Sequence, residues 1–531
     1  MPRRFSALLL LAGVWVGAAS ADTVPLHEAT IADVNAAFDA GTLTSERLVE
    51  MYLARIAAYD QAGPRLNTLI TVNPHALDDA KARDEERRRS GRRSPLHGIP
   101  VLVKDNIDTA DLPTTAGSVL LKDSRPPDDA FVVEQLRKAG AVIIGKANMS
   151  EFAAGPAMSS ITGRIRNPHD PARTASGSSG GTGAAIAANL AMAGLGSDTG
   201  GSVRAPSAAN GTAGLKTTMG LVSRDGVVPL ALTFDTVGPM ARHVYDVAAL
   251  LSVIAGVDAA DEATRAGRGK IEKDYTAGLS PDALKGARIG VARDYMGRHT
   301  DMDWATETAL EVMRQAGATT VDVRLPEWLR TVNRPWFMAI MPREFAQQIG
   351  PYLATLGPQY PKSLDELIAR SQTFVAPDGS GSVPNPRRWS EFNDAKKALA
   401  PERDLEADMI YAHALPLIRA AMTRLFVDAG IDALVYPTLS APAAVWDPDI
   451  NPVATTFVGP TFLANMSGFP DLVVPSGFSA GGLPITLSFL GPAFSEARLL
   501  ALGYAFEQRS KAYRLPVTTP PLAGETVATS R

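Results

Sequence analysis

The chain has 531 residues, of which 45% are hydrophobic and 20% are charged, and its formal net charge is −4. This is the composition of a globular protein with a sizeable core, and the small acidic excess gives no reason to expect nucleic acid or an anionic membrane as a partner. The absence of cysteine excludes disulfides, thiolate catalysis and cysteine-bound metal.

The first 21 residues have the pattern of a secretory signal peptide. Two arginines near the start are followed by an apolar stretch from Ala7 to Val16, and the small residues Ala19 and Ala21 come just before Asp22. The apolar stretch is too short to cross a bilayer, and no later segment is apolar enough to do so. We therefore expect cleavage near Ala21 and an exported protein, periplasmic or extracellular, without stable membrane anchoring. A buried N-terminal helix is the alternative.

After residue 22, helical and strand patterns alternate. Thr42–Tyr59 carries apolar residues at helical spacing, and a second helix is predicted over Asp129–Ala139. Ile99–Val103 and Ala141–Gly145 are short β-rich runs, and similar runs recur towards the C-terminus. Alternation on this scale indicates an α/β protein with a mostly parallel sheet that helices cover on both faces.

The chain has no internal repeat and no clear linker, so we expect one continuous domain with an inserted half. All five tryptophans outside the signal sequence fall after residue 300. Bulkier packing explains this distribution; alternatively, the region forms a substrate-facing wall, because aromatic side chains are common in pockets. The predicted parts are the signal peptide at 1–21, an N-terminal helical segment packed on the core at 22–95, the core at 96–265, a variable substrate-facing region at 266–430, and the C-terminal part of the same domain at 431–515.

Two Ser- and Gly-rich runs are candidate sites. They are SGSSGGTG at 176–183 and DTGGS at 198–202, which ends a predicted small-residue helix. Phosphate binding is one interpretation of such runs. However, GTAGLKTT at 211–218 has Leu215 where a P-loop requires glycine, so Lys216 is a poor P-loop lysine.

A nucleophile elbow is the second interpretation. GSSGG at 177–181 matches G-x-S-x-G with Ser179 as the nucleophile of a Ser-His-Asp hydrolase, but no strand pattern precedes it. That mechanism also needs an acid and then a histidine downstream, and no downstream histidine has an obvious acid partner. The histidines in question are His243, His299 and His413.

The third interpretation takes Ser202 as the nucleophile. A serine hydroxyl needs a base, and without cysteine or a well-placed histidine a lysine is the natural one. Lys104 stands just past a core strand; its pKa must fall from about 10.4, so it has to be buried and free of a carboxylate partner. Ser178 can relay the proton, because a hydroxyl both donates and accepts. The backbone amides that could form an oxyanion hole are those of Thr199, Gly200, Gly201 and Ser202.

These segments resemble the amidase signature family. HGIPVLVKDNID contains Lys104, SGSSGGTGAAIAA contains Ser178, and GSDTGGSVRAPSAANGTAGLKTT contains Ser202. The likeness runs from about residue 27 to 512, is weak between about 265 and 425, and includes the family's spacing of 24 residues between the two serines.

The resemblance implies a single large α/β/α domain around a mixed, twisted sheet. It also implies that Ser202 forms an acyl-enzyme, that Ser178 is held by a cis peptide and that Lys104 is the base, with no metal and no cofactor. The resemblance further implies that Ser179, Asp198 and Arg204 support the catalytic residues. For Asp198 and Arg204, a surface ion pair is an almost equally good explanation.

Within the family, the predicted export and the segment GLVSRDGVVPLALTFDTVGPM are most similar to bacterial peptide amidases, which remove the C-terminal amide of peptides and release ammonia. The predicted signal argues against the cytoplasmic tRNA amidotransferase subunit of the same family. The alternatives are a broad aryl or acyl amidase and a periplasmic binding protein that kept the fold without the chemistry. We expect a small-molecule or short peptide amide as the substrate; the sequence does not indicate an oligomeric state.

Overall fold

Strands and helices alternate along the part of the chain that the computed structural model describes, residues 22–373, 386–446 and 461–529. The predicted signal peptide at 1–21 lies outside these described residues. The strands are β1 Asp22–Pro25, β2 Leu69–Val72, β3 Pro100–Lys104, β4 Val142–Ala147, β5 Met158–Ser159, β6 Gly163–Arg164, β7 Ala193–Asp198, β8 Ala213–Lys216, β9 Thr236–Ala241, β10 Arg288–Ala292, β11 Thr319–Val323, β12 Ala433–Pro437, β13 Asp471–Phe478, β14 Pro484–Leu490 and β15 Thr526–Thr529. The helices are α1 Ile31–Ala40, α2 Ser45–Tyr59, α3 Ala76–Ser90, α4 Phe131–Lys138, α5 Gly180–Ala187, α6 Arg204–Asn210, α7 Val244–Ile254, α8 Thr300–Gln315, α9 Glu327–Thr355, α10 Leu364–Thr373, α11 Pro386–Lys397, α12 Asp404–Met409, α13 Leu415–Ala429, α14 Thr461–Ser467 and α15 Glu496–Ser510.

Eleven of the described strands form one mixed sheet, in the order β11-β10-β12-β14-β13-β8-β9-β7-β3-β4-β2. β10 is parallel to β11 and β12, and β3 is parallel to β4 and β7, while the other neighbours are antiparallel. The α/β fold with a mixed sheet is therefore confirmed, whereas the mostly parallel sheet inferred from the alternation is wrong. Antiparallel neighbours need no crossover helix, and β8–β9 and β13–β14 are consecutive strands that pair directly.

The small-residue helix predicted to end on DTGGS is in fact a helix followed by a strand. α5 ends at Ala187, and β7, with the sequence AGLGSD, lies between β9 and β3 in the sheet. Its glycines allow α5 to approach closely: a Cβ at Gly194 would lie 2.8 Å from Cγ2 of Thr182, and one at Gly196 would lie 2.8 Å from Oγ of Ser179. Because the strand has no β-branched or aromatic residue, its sequence lacks the usual strand signature.

The predicted helix near the N-terminus is α2. It begins after Thr44, whose Oγ1 accepts a hydrogen bond from the Arg47 amide at 3.1 Å, the usual N-cap arrangement. Arg55 of α2 forms a buried ion pair with Glu525 at 2.7 Å. Beside that pair, β1 and β15 form an antiparallel ladder in which Val24 faces Val527. The two ends of the described chain are therefore fastened together against the core.

Helices α9 to α13 pack beside the sheet. The rings of Phe345 in α9 and Phe392 in α11 are stacked with centroids 5.7 Å apart, and Phe152 meets Phe392 edge-on at 5.3 Å. These contacts join the variable region to the turn that follows β4. Within the described ranges, no helix has the length and apolar character that crossing a bilayer requires.

Candidate active site

Lys104 is the last residue of β3 and is fully buried. Its Nζ donates to Oγ of Ser178 at 2.7 Å and to Oγ of Ser197 at 2.8 Å. The next residue, Asp105, faces away from this group: its carboxylate accepts the Thr115 amide at 3.1 Å and lies 3.7 Å from Nζ of Lys146. Successive side chains of a strand alternate in direction, so the lysine is bonded to hydroxyls although an aspartate follows it in the chain.

The environment of Lys104 favours its neutral form. Burial lowers the pKa of Lys104 to about 7, against the smaller opposing effects of the Asp198 and Asp235 charges. A lysine with this pKa is uncharged in a large fraction of molecules at neutral pH and can accept a proton.

Ser178 follows a cis peptide bond from Gly177. A side chain at position 177 would require Ser150 to move, because a Cβ at Gly177 would lie 2.3 Å from Oγ of Ser150. The Ser150 amide in turn donates to the Ser178 carbonyl at 3.0 Å. These contacts hold the Ser178 hydroxyl against the lysine.

Ser202 lies on the loop between β7 and α6, and the carboxylate of Asp198 organises this loop. It accepts the amide of Gly201 at 2.8 Å and the amide of Val203 at 3.0 Å. The Gly201 amide is therefore already bonded, which corrects its predicted role as an oxyanion donor. The other three amides predicted to form the oxyanion hole belong to Thr199, Gly200 and Ser202. None of them has a hydrogen-bond acceptor within the described part of the chain.

Arg204 and Asp198 form a buried pair, so the surface ion pair considered from the sequence is wrong. Both side chains are fully buried, and Nη2 of Arg204 lies 3.0 Å from Oδ1 of Asp198. The arginine also donates to Asp471 at 2.9 Å and to Asn465 at 2.6 Å. Burial alone would raise the pKa of Asp198, but the Arg204 guanidinium outweighs it and holds that pKa well below its usual range. The carboxylate that organises the loop therefore stays ionised.

Ser179 lies at the start of α5, and its hydroxyl serves the backbone. Its Oγ donates to the Ser197 carbonyl at 3.2 Å and accepts the Ser197 amide at 3.3 Å. Among the described contacts no histidine bonds to Ser179: His243 and His299 precede α7 and α8, and His413 lies in the π-helical turn before α13. This arrangement gives the elbow mechanism no support.

The segment at 211–218, considered from the sequence as a phosphate-binding loop, contains the buried strand β8. Lys216 ends β8, and its Nζ donates to the carbonyls of Thr217 and Phe469, each at 2.9 Å. Within the described residues, no group of three or more His, Asp or Glu side chains is arranged to hold a metal ion.

Sequence reasoning missed two residues of the site. Ser197 accepts from Lys104, as above, and also from Nδ2 of Asn106 at 3.0 Å. Asp235 is buried and accepts the Thr199 hydroxyl at 2.6 Å. Ser197 immediately precedes Asp198, but β7 was not recognised as a strand, so nothing in the sequence placed it beside Lys104.

Ser178 and Ser202 lie in the lining of a cavity of about 250 Å³. Much of the remaining lining comes from α9, α11 and α14 and is largely apolar; it includes Phe337, Met341, Phe345, Phe392 and Phe462. The variable region therefore contributes to the cavity, as expected, but through phenylalanine: none of the described lining residues is tryptophan.

The comparisons with known proteins assign the chain to a family. The model of the family described as Amidase matches residues 47–500. The fold and this match define the class: the chain belongs to the amidase signature family and is an amide-hydrolysing enzyme.

Particular relatives of known structure extend the likeness to nearly the whole chain. The native peptide amidase from Stenotrophomonas maltophilia is 40% identical with a TM-score of 0.83, and the alignment covers 93% of this chain and 99% of that one. An amidase family protein from Bacillus anthracis is 32% identical with a TM-score of 0.81, and 92% of each chain is covered. Among curated proteins, a glutamyl-tRNA(Gln) amidotransferase subunit from Chloroflexus aggregans is 38% identical over 500 residues, which are 91% of this chain and 96% of the relative.

Proposed function

We propose that the enzyme cleaves amides through an acyl-enzyme on Ser202. Neutral Lys104 takes the proton of Ser178 while Ser178 takes that of Ser202, and the Ser202 oxygen bonds to the amide carbon. The amides of Thr199, Gly200 and Ser202 stabilise the resulting oxyanion. The observation that carries this proposal is the 2.7 Å contact between the Lys104 amine and the Ser178 hydroxyl in a fully buried setting.

The reaction is completed by three further proton transfers through the same groups. Collapse of the tetrahedral intermediate breaks the C–N bond, and the leaving nitrogen receives the proton from Lys104 through Ser178, so ammonia or an amine departs. Water then attacks the Ser202 ester and gives up its proton to the relay. The acid product is released, and Ser202 recovers its proton.

We propose further that the substrates are C-terminal peptide amides and that ammonia is the leaving group. The support is twofold: the similarity to the Stenotrophomonas maltophilia peptide amidase over nearly the full chain, and an apolar cavity wall that suits the side chain of an apolar or aromatic residue bearing the amide.

An assay of the released nitrogen product tests this proposal, with ammonia measured for the primary amides and aniline for the anilides. The panel comprises peptide amides, free amino-acid amides, acyl amides and anilides, each at matched concentration. We expect the highest kcat/KM for peptide amides that end in an aromatic or branched apolar residue. A preference for anilides or simple acyl amides would overturn the substrate proposal and leave amide hydrolysis in place.

The similarity to amidotransferase subunits favours a second candidate, an amide-hydrolysing subunit that works with partner chains. Free glutamine in the same panel tests it, because a small polar amide gains little from a cavity walled by phenylalanine. Glutamine turnover that exceeds turnover of every peptide amide would favour this candidate.

We propose that the protein is exported. The support is the sequence pattern of residues 1–21, in which a basic start and an apolar stretch are followed by small residues just before Asp22. Fractionation of the producing cells followed by N-terminal sequencing is the test. We expect a periplasmic or secreted protein that begins at or near Asp22, and an uncleaved cytoplasmic chain would contradict the proposal.

A further inference from the structure

Arg388 of α11 is a buried cation in the lining of the same cavity. Its side chain is 4% exposed, and it lines the cavity together with Ser178 and Ser202. A second arginine, Arg334, also lines the cavity, but it is solvent-exposed. A hydrogen bond made by a desolvated guanidinium contributes far more to binding than one made in water. Of the two arginines, Arg388 is therefore the one able to recognise a substrate.

The guanidinium of Arg388 is only partly used by the protein. Nη2 donates to the Ala154 carbonyl at 2.8 Å and pairs with the carboxylate of Glu391. The ring of Phe392 lies 5.9 Å below the guanidinium carbon. Nε, in contrast, is buried and has no hydrogen-bond acceptor within the described residues. A buried donor without an acceptor is unusual in a native protein and points to a missing partner.

The charge balance indicates the chemistry of that partner. Because Glu391 already neutralises Arg388, a carboxylate brought into the cavity would add a negative charge beside an existing one. A neutral carbonyl oxygen can accept from Nε without that repulsion. The acceptor that fits is therefore an uncharged carbonyl.

We infer that Arg388 binds the carbonyl oxygen of the peptide or N-acyl group that precedes the residue bearing the amide. This inference rests on the proposed function, because a peptide amide carries such a second carbonyl and a simple acyl or aryl amide does not. Arg388 is thus a specificity residue: it selects amides of N-acylated amino acids and peptides, while the apolar wall holds the side chain.

The test compares two amides that differ at the second carbonyl. N-acetyl-phenylalanine amide has it, and 2-benzylpentanamide replaces the acetamido group with a propyl group of similar shape. We expect wild-type kcat/KM to favour the former by about 10-fold or more, the usual effect of a hydrogen bond from a charged donor. In Arg388→Met this ratio should fall towards one, and in Arg388→Lys it should be intermediate because the directed Nε donor is lost. Arg403→Met, which removes an exposed arginine from the same region, is the control and should keep the wild-type ratio.

The outcomes separate the inference from the proposed function. The melting temperature, followed by circular dichroism, shows whether Arg388→Met is folded. If the folded variant keeps the full wild-type preference for N-acetyl-phenylalanine amide, the role of Arg388 is overturned and the proposed function is not. Equal wild-type rates on the two amides overturn that role even where both variants fail to fold. A wild-type enzyme that hydrolyses 2-benzylpentanamide but no peptide amide overturns the proposed substrate class itself.

Discussion

Lys104 is fully buried and pairs with two hydroxyls, and this pairing determines both its charge and its use. A carboxylate in place of either serine would favour the charged form of the lysine, because an opposite charge nearby raises the pKa of an amine. Hydroxyls solvate the amine without fixing a proton on it. At the scale of single residues, the proposed chemistry therefore depends on which hydroxyl faces the lysine and which faces the substrate.

Replacement of Ser202 by alanine should abolish turnover. Because the proposed acyl-enzyme forms on this oxygen, we expect kcat to fall by at least about 10⁴-fold, as for other covalent nucleophiles. Steady-state ammonia release measures it. Ser179→Ala is the matched control: among the described residues its hydroxyl bonds to the Ser197 backbone alone, so we expect a loss of no more than about 10-fold. An equal loss in both variants would contradict the assignment of the nucleophile.

The activity should rise with pH through the pKa of Lys104. Because burial lowers this pKa to about 7, the lysine is charged and inactive below pH 7 and neutral above it, so kcat/KM should be half-maximal near pH 7. The measurement is a pH–rate profile from pH 5 to 9.5.

Lys216→Met is the control for that profile. Lys216 is an equally buried lysine whose pKa burial also lowers to about 7, but it does not line the cavity. The variant should keep the midpoint near pH 7. If the midpoint near pH 7 is present in wild type and absent in Lys216→Met, the titrating group is Lys216 and not Lys104.

At the scale of elements, β7 and α6 present the nucleophile through the loop between them. Asp198 ends the strand and bonds to amides of the loop, while Arg204 begins the helix and ties Asp198 to Asp471 of β13. The loop is therefore shaped by a wholly buried charged network in which Arg204 bonds to both carboxylates.

Asp198→Asn tests this arrangement. Asparagine has the shape of aspartate but offers one acceptor oxygen in place of two, so the Gly201 and Val203 amides cannot both be satisfied. We expect kcat to fall by about 10- to 100-fold with little change in KM, as for a displaced reacting group.

Asp471→Asn is the matched control, since Asp471 bonds to Arg204 but not to the loop amides. It should lower the free energy of unfolding while retaining most of the kcat. If Asp471→Asn lost as much kcat as Asp198→Asn, the loop would be shaped by the whole network and not by its amide contacts.

At the scale of the whole molecule, the N-terminal segment is held by groups remote from the cavity. The Arg55–Glu525 pair connects α2 to the C-terminal segment, and Arg55 also donates to the carbonyls of Ala188 and Asn189, just after α5. The same buried guanidinium thus joins both ends of the described chain to the helix that follows the Ser178 loop.

Glu525→Gln should destabilise the fold without changing the chemistry. The substitution leaves the Arg55 charge buried without a counter-charge, and such a loss costs about 3–5 kcal/mol. Urea unfolding measures it, with kcat at 25 °C expected to stay within about twofold. Glu50→Gln breaks an exposed pair with Arg47 at 3.0 Å and should cost less than about 1 kcal/mol. Equal costs for the two variants would contradict the structural role of the buried pair.

Much of the site could be predicted from the sequence, because the serines, the lysine and the DTGGS turn are recognisable as local patterns. The residues that were missed contact the site only through the fold. Ser197 meets Lys104 across two neighbouring strands, 93 positions away in the chain, and Asp235 meets Thr199 across 36 positions. No local pattern reports such contacts.

The sequence by itself determined the family, the α/β class and which residue types carry the chemistry, since these depend on the identity and spacing of a few side chains. Only the tertiary structure decided that the Lys104 pKa falls to about 7, that the Gly201 amide is bonded to Asp198 and that phenylalanine forms the cavity wall. Desolvation, hydrogen-bond satisfaction and pocket shape are properties of the packed chain, because each depends on groups that folding brings together from distant parts of the sequence.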